Sequence, residues 1–136
     1  MIRHWRPLAL AVTLVACSED DKLTFAGLAG DWDCTEYLYV DFADPGNTFD
    51  VLASVGISLS VEIRSDGTLI LIFDGTPVDT VAATLDGDIL TINDTEYRIA
   101  LSGDNMTMTG RDTIPVDFDL DGTEEDAFER IEWLRR

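Results

Sequence analysis

The sequence predicts an all-β protein: an antiparallel, up-and-down barrel of about eight to nine short strands, with a short helix between the first two strands. Three observations predict it. Apolar and polar residues alternate with a period of two through most of the chain after residue 30. Turn-forming clusters of Gly, Asp and Asn recur at intervals of roughly 8–12 residues. The connections they make are of hairpin length, which favours sequence neighbours pairing side by side, and closing such a sheet removes its exposed edges.

Residues 23–30 form an apolar lead-in long enough for one helical turn. Residues 32–42 alternate, with Trp32, Cys34, Glu36, Leu38, Val40 and Phe42 on one face and Asp33, Thr35, Tyr37, Tyr39 and Asp41 on the other. Asn47 or Thr48 can then cap a short helix that carries Phe49, Leu52 and Val55 along one side and ends at Gly56. In residues 57–64, Ile57, Leu59, Val61 and Ile63 face in, while Ser58, Ser60, Glu62 and Arg64 face out. Ser65-Asp66-Gly67 turns the chain into a mostly apolar strand, 68–73, and Asp74-Gly75-Thr76-Pro77 turns it again. Strands follow at 78–85, 89–92, 97–101, 106–109 and 113–118, separated by short turns such as Asp86-Gly87-Asp88 and Asn93-Asp94-Thr95. Residues 127–135 are the last strand.

The N-terminus carries a different signal. Met1-Ile2-Arg3-His4-Trp5-Arg6 is basic, and residues 7–16 are apolar but too few to span a bilayer. The stretch Leu14-Val15-Ala16-Cys17 resembles the lipobox of bacterial lipoproteins. That resemblance implies that residues 1–16 are a cleaved signal peptide and that Cys17 is diacylated on sulfur. Residues 17–24 would be a charged tether and residues 25–136 the folded domain, held at the cell envelope by its acyl chains with no membrane-spanning helix. Ser18 in place of Asp after the lipid-bearing Cys resembles outer-membrane routing. Removing Arg3 and Arg6 leaves seven Lys/Arg against 27 Asp/Glu, a net charge of about −20. Such a surface repels nucleic acids and anionic membrane faces. With Cys17 lipidated, Cys34 has no intramolecular partner and no disulfide is expected.

Gly30-Asp31-Trp32 at the start of the first strand, the run of hairpin-linked strands, and the closing Ile131-Glu132-Trp133-Leu134-Arg135-Arg136 together resemble the lipocalins, or more broadly the calycin barrels. The resemblance implies a structural lock in which an Arg packs across the Trp at the closed end. Arg135 is favoured over Arg130 because it shares a face with Ile131 and Trp133, so Gly30, Trp32 and Arg135 form the expected lock. The chain is shorter than a typical lipocalin and lacks the family's middle motifs and disulfides.

Several residues are candidates for function. Glu36, on the face of Trp32 and Leu38, would be an inward acid that must be paired or hydrated: it either anchors the polar end of a ligand, meets an inward Arg, sits in water at the mouth, or is re-aimed by a bulge. Leu38, Ile57, Leu59, Leu71, Tyr97 and Met106 are candidate cavity lining, with residues 47–55 as a partial lid. Asp117, Asp119 and Asp121 alternate before Gly122, as in the opening of many Ca²⁺ loops, which makes Ca²⁺ a candidate cofactor. The EF-hand pattern fails because its twelfth position falls on Phe128, and the same run also fits a solvated acidic hairpin loop. No catalytic constellation is readable. The single His, His4, lies in the expected signal peptide, so no Cys/His or Ser/His/Asp set exists after cleavage. These features lead us to expect a monomeric, non-enzymatic, membrane-anchored barrel that binds a small apolar or amphipathic ligand. The alternative is a cell-envelope structural or interaction module with a packed interior, stiffened by Ca²⁺ at residues 117–126.

Overall fold

The computed structural model describes residues 23–136 and is an antiparallel β-barrel. The expected signal peptide and the lipidation site Cys17 lie outside the described residues. After a single helical turn, α1 (Phe25–Leu28), come β1 (Gly30–Asp41), β2 (Thr48–Asp50), α2 (Val51–Val55), β3 (Leu59–Ile63), β4 (Thr68–Phe73), β5 (Thr76–Asp86), β6 (Ile89–Ile92), β7 (Thr95–Ser102), β8 (Asn105–Gly110), β9 (Ile114–Val116) and β10 (Glu125–Arg135). Eight strands close the ring in the order β1-β3-β4-β5-β6-β7-β8-β10, and β10 pairs back onto β1.

The other two strands extend the barrel at one end. β2 pairs with residues 38–40 of β1, and β9 pairs with residues 125–127 of β10. The ribbon β2-β1-β10-β9 therefore continues past the ring on one side of its open end. The sequence reading missed β2 and placed 113–118 in the ring. Two short edge segments lying along longer strands carry too little periodicity to be told from loop.

The helix between the first strands forms, but later than expected. Asp50, rather than Asn47 or Thr48, is its N-cap, with Oδ1 accepting from the Ala53 N–H at 3.1 Å. Gly56, at φ 70°, ends it and donates its N–H to Leu52 O at 2.8 Å.

A bulge in β1 changes what faces inward. Cys34 stands opposite Trp133 and Glu36 opposite Glu132, so Thr35 has no partner in the register. Beyond it every side chain swaps faces. Tyr37, Tyr39 and Asp41 share the inner face with their partners Ile131, Glu129 and Ala127. Glu36, Leu38 and Val40 turn outward, opposite to the expected face. Leu38 and Val40 nevertheless stay buried, apart from the main core, on a strand against which α2 packs.

The interior is filled at one end and open at the other. Leu28, Trp32, Val61, Ile63, Leu69, Val81, Leu90, Ile99 and Met106 pack the closed half, each under a tenth exposed. Gly67 shows how tightly this end is shut. It sits at φ +91° in the β3–β4 turn, and a Cβ there would stand 3.2 Å from Phe25 Cε2 and 3.1 Å from Ala83 O. Only glycine supplies both the left-handed backbone and the room for α1 to close the base. Among the described residues, no helix is long and apolar enough to cross a membrane.

Candidate functional site

The closed end is structural. Trp32 is fully buried, and its indole N–H donates to Leu28 O at 2.8 Å. The Arg135 guanidinium carbon lies 4.4 Å from the centre of the Trp32 ring. Its two terminal nitrogens donate to Ala29 O at 3.3 Å and Gly27 O at 2.9 Å, carbonyls at the C-terminal end of α1. Gly30, at φ +138°, leaves the space where the Arg135 stem passes, with Cδ 3.7 Å from where a Cβ would be. Gly30, Trp32 and Arg135 thus meet in one unit that ties the first strand, the last strand and the plug helix together.

The candidate site lies at the other end. A cavity of about 210 Å³ is lined by Tyr37, Leu59, Leu71, Phe73, Ile92, Tyr97, Met108, Ile131 and Trp133. Tyr37, Leu59, Phe73, Ile92 and Tyr97 come from the halves of their strands that point away from the Trp32 plug, while Trp133, opposite Cys34 and Met106, reaches the cavity from the packed side. The wall is almost wholly apolar, and the Trp133 indole N–H is satisfied internally by Met108 Sδ at 3.1 Å.

The polar groups of the site converge on Glu129. The Tyr37 hydroxyl donates to Glu129 Oε2, and the Tyr97 hydroxyl donates to Oε1 at 3.1 Å. Burial and the Glu129 carboxylate both push the two phenols far above the ordinary tyrosine value. The aromatic surface continues outward along the ribbon. Tyr39, opposite Glu129 in the register, meets Tyr37 edge-on at 5.9 Å and stacks on Phe49 at 6.2 Å.

The expected lining and the observed lining overlap in part. Leu59, Leu71 and Tyr97 line the cavity. Met106 lies deeper, in the packed half, and Met108 takes its place. Ile57 is half-buried before β3 and does not reach the cavity. Leu38 and Glu36 are on the outside. Glu36 accepts from Arg130 at 3.2 Å and neighbours Glu132, whose carboxyl is held above its usual range by hydrogen bonding to Glu36 and by burial. The inward acid is Glu129, which the sequence reading missed. Its signal was present, since Ala127, Glu129, Ile131, Trp133 and Arg135 share one parity on the last strand. No residue of 47–55 lines the cavity, so the expected lid is replaced by a strand whose Phe49 stacks beside the mouth.

In comparison with known proteins, no family model and no curated protein matches this chain. The architecture, a closed antiparallel eight-strand barrel, is compatible with a lipocalin- or calycin-like fold.

The acidic segment does not gather the expected trio. Carboxylate oxygens of Asp117, Asp119 and Glu125 lie within 4.8 Å of one another, while Asp121 Oδ1 accepts from the Thr123 N–H at 2.7 Å. Asp117 accepts from the N–H groups of Asp121 at 3.2 Å and Gly122 at 2.9 Å. The loop is thus closed by its own backbone donors. Cys34 is half-buried beside the bulge, with its Sγ–H donating to Glu36 O at 3.4 Å. Desolvation pushes its thiol up to about 11, so it is a poor nucleophile at neutral pH.

Proposed function

We propose that this protein is an exported, lipid-anchored, monomeric barrel without catalytic activity that binds a small amphipathic ligand at its open end. The observation that carries the reading is an apolar cavity of about 210 Å³ beside a tyrosine-held carboxylate. The size limits the ligand. A void of about 150 Å³ accepts benzene, whereas drug-sized pockets run from about 300 to 1,000 Å³. The cavity therefore suits a single ring or a short alkyl chain. The apolar body would sit against Leu59, Leu71, Met108 and Trp133, with its polar group toward Tyr37, Tyr97 and Glu129.

Toluene, a neutral ring of fitting size, tests the cavity directly. Titration should shift the methyl resonances of Leu59, Leu71 and Met108 saturably and leave Leu90, in the packed half, unmoved. Leu71→Trp should fill the space and abolish the shift. If no saturable shift occurs in the wild type, the interior is effectively filled, and the alternative of a packed envelope module takes over.

The anchor has its own support in the lipobox-like Leu14-Val15-Ala16-Cys17. Cys17→Ser should move the protein from the membrane to the soluble fraction of the cell envelope. Retention of the variant on membranes would overturn the lipidation reading.

A further inference from the structure

We propose that the mouth of the barrel selects a hydrophobic cation, because the Glu129 carboxylate and the Tyr37 and Tyr97 hydroxyl oxygens meet beside the apolar cavity as acceptors only. This rests on the cavity-binding reading above and adds the sign of the ligand's charge. A carboxylate has lone pairs and no proton to give. Each of its oxygens already receives one phenol proton, from Tyr37 and from Tyr97. With those protons committed, the phenol oxygens turn only lone pairs toward an arriving ligand. A head group that donates, above all an ammonium, finds three acceptors there. A carboxylate head group finds no donor and faces a like charge.

Three further observations point the same way. The six Arg side chains of the described residues are all ion-paired, Arg64 with Glu62, Arg98 with Asp88, Arg111 with Glu96, Arg130 with Glu36, Arg135 with Asp104 and Arg136 with Asp33. No unpaired cation among them is available to an anionic head group. The same residues hold 24 Asp/Glu against those six Arg, so the field over the surface draws cations in. The aromatic faces flanking Glu129, from Tyr37 through Tyr39 to Phe49, add the electron-rich surfaces on which an ammonium rests. The cavity then limits the apolar part to about one ring, which makes a hydrophobic monoamine the matching class.

Three compounds that share a phenyl ring and differ in head group test this on the intact protein: 2-phenylethylamine, 2-phenylethanol and 3-phenylpropanoate. At physiological salt, titration calorimetry should find the amine at least tenfold tighter than the alcohol, and the carboxylate weaker than both. Glu129→Gln should bring the amine and the alcohol to within about threefold. Asp88→Asn, which removes the same charge at the closed end, should leave the preference intact. Equal binding of the three compounds to the wild type would overturn the charge selection and keep the cavity reading. A preference that survives Glu129→Gln would assign it to the surface field and overturn the role of Glu129. Binding of none of the three, together with no response to toluene, would overturn the cavity reading itself. Should Glu129→Gln not fold, the wild-type ranking still decides the sign of the charge, and repeating it at about 1 M salt separates the two sources: a preference that persists is local to the mouth, and one that vanishes belongs to the surface field and overturns the role of Glu129.

Discussion

Trp32→Ala is expected to cost about 3–5 kcal/mol, the largest loss from any single truncation in this barrel. A domain of this size has a total stability of about 5–15 kcal/mol, so the change removes a large share of it. The loss has three sources. The ring is fully buried among the closed-end side chains, so its removal leaves a void that the closed ring of strands cannot collapse around. The Leu28 carbonyl loses the indole donor at 2.8 Å and is left buried without it. The Arg135 guanidinium loses the face it rests on at 4.4 Å. Urea unfolding of Trp32→Ala, Trp32→Phe, Arg135→Ala and the Trp32→Ala/Arg135→Ala double variant separates these terms. Trp32→Phe keeps an aromatic face and loses the N–H, so about 1–2 kcal/mol is expected for it. The double-mutant coupling should be about 0.5–2 kcal/mol. A Trp32→Ala loss under about 1 kcal/mol would mean that the plug is not a keystone of the fold.

The lock was readable because its three residues sit where local rules speak clearly. Gly30-Asp31-Trp32 opens a strand whose first residues pair without irregularity, Trp32 against Val61 on one side and Arg135 on the other. The parity of Ile131, Trp133 and Arg135 on β10 is likewise unbroken. The hairpins were readable for the same reason. Asp74 at φ 50° with Gly75 at φ 80°, and Asn93 at φ 49° with Asp94 at φ 68°, are two-residue turns with both central residues left-handed, the geometry that these residue types favour.

The candidate site was less readable, and one residue explains most of it. Thr35 occupies a bulge, and a bulge inverts the parity of everything after it. In Tyr37-Leu38-Tyr39-Val40 both faces are apolar or aromatic, so the hydrophobic pattern fits either orientation. The choice is made by the partner strand, through Tyr37 opposite Ile131 and Tyr39 opposite Glu129. Alternation counted from Trp32 therefore put Glu36 inside and left the tyrosines out. Counting back from Arg135 along β10, where no irregularity falls between Ala127 and Arg135 on the inner face, reaches Glu129 as the inward acid. The closing strand was thus the better ruler, because Ala127, Ile131 and Trp133 on its inner face are apolar and fix the parity that carries Glu129 inward.

Alkaline pH should unfold this barrel through Tyr37 and Tyr97. Both phenols are half-buried, and both donate to a carboxylate, so burial and the Glu129 charge oppose their ionisation in the folded state. In the unfolded chain they ionise near the ordinary value of about 10. Below that pH the two states hold the same phenol protons and these groups make stability flat. Above it the unfolded state releases protons that the folded state retains, so stability falls as pH rises. The slope is at most about 1.4 kcal/mol per pH unit for each tyrosine, or about 2.7 for the pair. Phenolate absorbance near 295 nm should therefore appear late, and for two of the three tyrosines it should rise together with loss of far-ultraviolet sheet signal. The general repulsion of a chain with formal charge −18 also grows with pH, and the Phe variants isolate the site from it. The Tyr37→Phe/Tyr97→Phe double variant loses two donors to Glu129 and should be less stable at pH 7, yet its stability should decline much less steeply between pH 9 and 11. An equally steep decline in that variant would show that the phenol–carboxylate cluster does not govern the alkaline limit, and that Glu129 is not held by these hydroxyls in solution.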